Sequence, residues 1–307
     1  MCTVPVLFII FNKIEETKKV FETIRLYKPD QLFIAADGPR LTVDGENLTC
    51  SAIRSWIIDN IDWACDVHTL FREQNIGCGR GPSEAITWFF NHVEEGIILE
   101  DDCLPNQSFF TFCHELLSKY RHNQAISAIS GNNFQPVQPM DISSDYYFSI
   151  FPSSWGWATW RRAWQGFDFN LSSWDKFKTA SALKFIFSEQ KYYLWWKHRF
   201  DWMYKDQPQD MWDFQFHYHS MMNRQLAIIP NANLVSNIGH GASGTHFQDP
   251  NAVIASLPTY DLSFPLNHPS RIARNYNADV YIQKLLFGEV EVVSLYKRFK
   301  RIVKQVI

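Results

Sequence analysis

Between residues 4 and 130, short apolar runs and amphipathic stretches take turns without interruption, and few folds accept that pattern. "VPVLFIIF" (4–11) reads as a buried strand. Residues 14–27 then set Val20, Phe21, Ile24 and Tyr27 on one helical face. "QLFIAA" (31–36) is a second strand closed by the turn signal "DGPR". A helix over 49–61, a strand "DVHTLF" (66–71) and a helix N-capped by Ser83 follow. The strand "GIIL" begins at Gly96, a helix carries Phe109, Cys113, Leu116, Leu117 and Tyr120, and "AISAIS" (125–130) closes the series. A helix between two strands returns the chain to the end of the sheet where it started. The expected fold is therefore α/β, a mainly parallel central sheet with helices on both faces. Such sheets bind ligands beyond the carboxyl ends of their strands.

The second half is less regular. "FPSSWGWATWRRAWQ" (151–165) reads as a loop, 174–222 as mostly helical and aromatic, and 230–250 as a polar, glycine-rich loop. This divides the chain into residues 1–250, with halves 1–130 and 131–250, and an extension 251–307. That extension ends in "LYKRFKRIVKQVI", a basic amphipathic helix.

Composition narrows the function classes. A formal net charge of -3 removes a general electrostatic case for nucleic acid. The 12 Trp and 25 Phe suit a large core or the stacking of sugar rings equally well. None of the six cysteines forms a C-x-x-C pair, which speaks against zinc, and their dispersion speaks against a disulfide framework. They read as reduced thiols of a cytoplasmic protein. The N-terminal apolar run lacks a basic flank and is too short for a signal peptide. No run approaches the roughly 20 residues of a membrane span.

The stretch "GIILEDDCLPNQSFFTF" then poses a chemical problem. An apolar strand ends in three adjacent acids, Glu100, Asp101 and Asp102, whose charges repel and are costly to desolvate. A positive partner is expected. A hard divalent cation, Mn²⁺ or Mg²⁺, held by carboxylates and substrate phosphates, is the simplest. A solvated acidic turn fits so short a motif as well.

Four stretches together make the chain resemble the glycosyltransferases of the GT-A (Rossmann-like) fold. These are "AADGPR", "IILEDDCLPNQSFFTF", "FPSSWGWATWRRAW" and "WDFQF" followed by "IIPNANLVSNIGHG". The resemblance is nearest to the N-acetylglucosaminyltransferase I group and to bacterial surface-polysaccharide transferases, and it covers residues 4 to 246. It implies an aromatic-rich helical and loop region for the acceptor. It also implies roles. Asp102 would ligate the metal, Asp101 would face the donor sugar or a metal-bound water, and Glu100 would lie near the sugar. Asp37 would hold the nucleotide. Asn12 and Lys13 stand where the family often has Asp-Arg, so that nucleotide contact departs from the pattern. Arg80 would touch base or diphosphate, or else is an exposed loop arginine. Trp155 and Trp157 would wall the sugar pocket or pack in the core. Arg161 or Arg162 would bind a phosphate-bearing acceptor or make surface ion pairs. Asp213 would be the acceptor-side base, with Asp210 as the neighbouring candidate and helix capping as the plain alternative. His246, and more weakly His240, would be a late metal or diphosphate ligand.

The expected activity is metal-dependent transfer of a sugar, with inversion, from a nucleotide-diphosphate donor to a hydroxyl of a glycan or lipid-linked acceptor, in cell-surface polysaccharide synthesis. The basic helix within 285–307 would allow peripheral contact with the inner face of the membrane. A sugar nucleotidyltransferase is the rival enzyme, but "FNKIEET" after the first strand is no glycine-rich phosphate loop. The rival outside enzymology is a non-catalytic carbohydrate-binding protein.

Overall fold

A computed structural model describes residues 3–135, 144–179, 182–239 and 253–290. The chain runs β1 (Val6–Ile10), α1 (Ile14–Tyr27), β2 (Gln31–Ala36), α2 (Glu46–Asp59), β3 (Asp66–Phe71), α3 (Gly77–His92) and β4 (Glu95–Glu100). Next come β5 (Cys103–Pro105), α4 (Gln107–Tyr120), β6 (Ile126–Ser130), β7 (Tyr146–Ser149), β8 (Trp157–Trp160) and α5 (Arg161–Trp164). Then follow α6 (Trp174–Thr179), α7 (Ala182–Ile186), α8 (Gln190–Asp206), α9 (Asp213–Met222), β9 (Leu226–Pro230), β10 (Val235–Asn237) and α10 (Tyr276–Ile282). A π-helical turn, Gln283–Phe287, continues α10.

Among the described residues, eight strands form one sheet in the order β3-β2-β1-β4-β8-β6-β9-β7. The pairings β1 with β2, β1 with β4, β2 with β3 and β6 with β9 are parallel, while β8 and β7 run against their neighbours. The mainly parallel α/β sheet expected from the alternation is therefore what forms. Apart from the edge strand β3, which is partly exposed, its strands are buried on both faces, which is why they read as apolar runs. On one face α1, α2 and α4 bury Val20, Phe21, Ile24, Ile53, Ile57, Phe109, Leu116 and Leu117 against β1, β2 and β4. Each such side chain contributes about 1.5–3 kcal/mol relative to exposure. On the other face α3, α5 and α9 set Ile86, Phe89, Phe90, Trp164 and Phe216 against Leu7, Phe33 and Ile98. A satellite core of Trp174, Tyr192, Trp196, Phe200 and Tyr218 joins α6, α8 and α9.

Two local readings change. The stretch 151–165 is not all loop: Trp157–Trp160 enters the middle of the sheet as β8, antiparallel between β4 and β6. Its two tryptophans and the β-branched Thr159 suit a strand buried on both faces, and all four residues are buried. Helix α3 starts at Gly77, well before Ser83. The Asp37 carboxylate accepts the N–H groups of Ile76 and Gly77, and that cap moves the start upstream. Ser83 instead donates its hydroxyl to Gly79 O. Of the stretch 285–307, only residues 285–290 are described. α10 ends at Ile282 and the π-helical turn packs Leu286 and Phe287 on the satellite core. The basic residues of the tail (291–307), like His240 and His246, lie outside the described residues. No helix among the described residues is long and apolar enough to cross a membrane.

Candidate active site

The carboxyl ends of β1, β2 and β4 lie side by side, because Ile10 pairs with Ala36 and Ile9 with Glu100. The next residues of each strand therefore share one place: Phe11, Asn12 and Lys13 after β1, Asp37 after β2, Asp101 and Asp102 after β4. A cleft of about 1140 Å³ opens above them. Asn12, Lys13, Asp37, Glu100, Asp101, Asp102, Trp155, Asp210 and Asp213 all line it. Of the acids named from sequence, all six meet here.

The far wall is the turn before α9. Gly79 N–H donates to Gln209 O at 3.2 Å, and a Cβ on Gly79 would collide with the carbonyls of Gln209 and Met211. Only glycine lets α3 approach this turn so closely, and the approach sets Asp210 and Asp213 opposite the strand ends. The small sheet of β5 with β10 supplies another wall, since Asn237 pairs with Cys103. Ile238 N–H donates to Asp102 O, and Gly239 packs directly against the Asp102 carboxylate, leaving no room for a side chain.

The three acids already have a positive partner. Lys13 Nζ lies 2.7 Å from Asp102 Oδ2, with side-chain exposures of 13% and 16%. Burial disfavours the Lys13 ammonium, but Asp102, Asp101 and Glu100 outweigh it and hold the lysine protonated beyond its ordinary range. Phe11 N–H donates to Asp101 Oδ2 at 2.9 Å. Burial, reinforced by the charge of Asp102, pushes Asp101 up to about 7. Burial, then Asp102 and Asp101, pushes Glu100 up to about 8. One ammonium cannot balance three carboxylates, so Glu100 and Asp101 hold their protons to higher pH than ordinary carboxylates do.

The remaining residues have more particular roles. Asp37 Oδ1 and Oδ2 accept the backbone N–H groups of Gly38, Ile76 and Gly77, so the carboxylate anchors α3 and faces the cleft from that anchor. Burial raises its pKa against the pull of those bonds. Asn12 donates to Glu46 Oε1, and Glu46 also receives Arg40. Trp155 stands in the cleft, edge-on to Phe134 at 5.1 Å.

Four expected residues are elsewhere. Trp157 is 1% exposed and stacks on Trp212, one layer below the cleft wall, because its place on β8 points it into the core. Arg161 follows the far end of β8, where Trp160 pairs with Glu95, the first residue of β4. It donates to Phe90 O, Val93 O and Glu94, at the opposite end of the sheet from Glu100. Arg162 there donates to the carbonyls of Tyr120, Arg121 and Ile126 beyond the end of α4. Arg80 turns outward to Gln209 Oε1 and the ring of Phe169. Conversely, Arg40, Arg72, Asn75, Ser154 and Asn237 line the cleft without having been singled out. Arg40, within "AADGPR", carried a legible signal; Asn237 depends on the β5–β10 pairing and carried none.

As donors for a cation, the strand-end groups are oxygens, the kind that hard dications prefer. No group of three His, Cys, Asp or Glu among the described residues stands ready to hold one ion. A cation here would rest on Asp102, with Asp101 beside it, and would share or replace the Lys13 contact.

No protein-family profile and no curated protein matches the chain. Among solved structures, the mannosyltransferase PcManGT from Pyrobaculum calidifontis, in complex with GDP-Man and Mn²⁺, aligns at 15% identity and a TM-score of 0.35. The alignment covers 52% of this chain and 45% of that one, so the chain spans under half the length of PcManGT. S. aureus TarS 1-349 aligns at 8% identity and a TM-score of 0.41, over 76% of this chain and 59% of its own. The 4-diphosphocytidyl-2C-methyl-D-erythritolsynthase from Anaerococcus prevotii aligns at 9% identity and a TM-score of 0.31, over 57% and 76%. At these identities and TM-scores, nothing about this chain's chemistry follows from them.

Proposed function

We propose that this protein transfers a sugar from a nucleotide-diphosphate donor to a hydroxyl of a glycan or lipid-linked acceptor. One observation carries the reading. A single cleft at the carboxyl ends of parallel strands holds Glu100, Asp101, Asp102 and Lys13 on one wall, with Asp210 and Asp213 on another. Proton-holding and cationic groups on the first wall suit a diphosphate leaving group. A separate carboxylate suits deprotonation of an incoming hydroxyl. The resemblance to the N-acetylglucosaminyltransferase I group and to surface-polysaccharide transferases belongs to this proposal, as do inversion and the division into nucleotide and acceptor halves at residue 130.

In this reading Asn12, Lys13, Asp37 and Arg40 surround the nucleotide and its phosphates, and Trp155 offers a ring face to a sugar. Asp213, the first residue of α9, acts as base. A Mn²⁺ or Mg²⁺ ion on Asp102, with Asp101 beside it, would supply Lewis-acid neutralisation of the diphosphate. Lys13 delivers positive charge to the same place, and the ion would share or replace its contact with Asp102.

The test is release of nucleoside diphosphate from a panel of UDP-, GDP-, CDP- and dTDP-sugars, with and without Mn²⁺, beside equilibrium binding of the nucleotides. Binding with slow hydrolytic release, accelerated by an acceptor, is the expected outcome. Release of pyrophosphate from a nucleoside triphosphate and a sugar phosphate would replace the reading with nucleotidyl transfer. Sugar binding with no nucleotide binding would replace it with a carbohydrate-binding protein.

A further inference from the structure

Arg199 lies in the middle of α8, between Trp195 one turn before it and Trp202 one turn after it. Its guanidinium carbon is 5.0 Å from the Trp195 ring centroid, 5.4 Å from Trp202 and 4.8 Å from Phe214. Three aromatic faces thus fix the plane of one half-buried cation. Phe214 itself lines the cleft and directly follows Asp213. Arg199 therefore stands one ring behind the wall that carries the candidate base.

What its N–H groups do sets it apart. The other partly buried arginines among the described residues each donate to an acceptor. Arg25 reaches Asp62, Arg54 the carbonyls of Asp37 and Arg72, Arg72 Glu84, Arg80 Gln209, Arg161 Glu94, Arg162 three carbonyls, and Arg274 Asp279. Arg199 makes ring contacts and feels the charge of Asp213, but hydrogen-bonds to no acceptor among the described residues. Asp201, two residues on, is engaged by Lys197 and Trp174. A half-desolvated cation is normally paired, and an arginine held flat by rings presents its donors in a fork that matches phosphate and carboxylate oxygens.

We propose that Arg199 is an anion-recognition residue on the acceptor side of the cleft, and that the acceptor carries a phosphate or carboxylate close to the hydroxyl that reacts. The proposal rests on the reading of the cleft given above and names its acceptor class. It also supplies the acceptor-binding arginine that Arg161 and Arg162, at the other end of the sheet, do not provide. A phosphate would belong to a phosphorylated or lipid-phosphate acceptor, and a carboxylate to an acidic sugar.

The probes are glycerol 3-phosphate and glucuronate, each beside its neutral counterpart, glycerol and methyl glucoside. Titration calorimetry on the full chain compares wild type, Arg199→Met and Arg199→Lys. Wild type should bind one of the anions about tenfold or more tightly than its neutral counterpart, as one charge-assisted forked contact allows. The anion preferred tells phosphate from carboxylate. Arg199→Met should abolish the preference. Arg199→Lys keeps the charge without the fork or the stacking and should lose most of it; this variant decides the matter if Arg199→Met does not fold. No anion preference in wild type, or the same preference in the folded variant, overturns the proposal. Nucleoside diphosphate binding is measured on the same samples. Loss of that binding in wild type would sink the sugar-transfer reading, whereas nucleotide binding without anion preference would sink only the role of Arg199.

Discussion

Lys13 Nζ and Asp102 Oδ2 are 2.7 Å apart, and this contact ties the segment after β1 to the turn after β4 in the cleft. The ion pair is mostly buried, and its lysine is the positive group nearest to three acids. Removing one partner of such a pair leaves uncompensated buried charge, at a cost of about 3–5 kcal/mol. Lys13→Met should therefore lower the melting temperature. If Asp102 accepts a cation in the same place, Mn²⁺ should restore more stability to Lys13→Met than it adds to wild type, by mass action on a vacated site. Thermal unfolding with and without MnCl₂ reads both effects. Equal Mn²⁺ shifts in the two proteins would mean that lysine and cation do not compete for Asp102.

Glu100 gives a pH signature. Its folded pKa of about 8 lies above the ordinary carboxylate value, because of burial first and repulsion from Asp102 and Asp101 second. Between the unfolded value of 4.5 and about 8 the folded chain holds a proton that the unfolded chain has released. Stability therefore falls as pH rises through that window. Glu100→Gln keeps the shape and removes the charge, so its stabilising effect should grow from pH 5 to pH 8.5. Urea midpoints across that range test it. A pH-independent difference would mean that Glu100 is ionised in the folded state throughout.

His217 works in the opposite direction. It sits in the satellite core, with Phe151, Trp196, Phe214 and Phe287 around it, and its Nδ1 has no hydrogen-bond partner among the described residues. Burial lowers its pKa from 6.5 to about 3. As pH falls below 6.5 the unfolded chain takes up a proton that the folded chain refuses. Stability should then drop by up to about 1.4 kcal/mol per pH unit from this group. His217→Phe should flatten the acid limb of the stability profile, leaving the smaller contribution of His219, whose pKa burial also lowers. An unchanged slope between pH 6.5 and 4.5 would show that His217 becomes protonated without unfolding.

The sequence displayed the sheet because buried parallel strands are unbroken apolar runs, and it displayed the acids because nothing else interrupts such a run so sharply. Asp37, Glu100 and Asp102 could be brought together on paper, since each ends a strand and parallel strands end at one edge. The roles of the basic residues were not legible in this way. Whether Lys13 faces Asp102 or a nucleotide depends on the one-residue register between β1 and β4. Arg161 follows the tryptophans of its motif in sequence, yet β8 runs antiparallel and carries it to the opposite edge. Arg199 was not singled out from the sequence at all, since only the packing of α8 beside Phe214 gives it a neighbour in the cleft.

Asp213 carries the chemistry of the proposed reaction. A sugar hydroxyl is a poor nucleophile at neutral pH, and a positioned base contributes about 10²–10⁴-fold. Asp213 opens α9 on the wall of the cleft away from the strand ends, with Oδ1 accepting the N–H of Phe214 at 2.9 Å, which fixes the carboxylate's direction. Asp210 lines the same wall three residues earlier. Asp213→Asn should lower turnover by about 10²–10⁴-fold while nucleotide affinity stays near wild type, because the base meets the acceptor and not the donor's phosphates. Asp210→Asn should cost less. With Asp213 as base of a single displacement, the product's anomeric configuration must be opposite to the donor's, which proton coupling constants report. Retained configuration would exclude this role for Asp213. Full turnover in Asp213→Asn together with a loss in Asp210→Asn would transfer the base to Asp210, which shares the same turn.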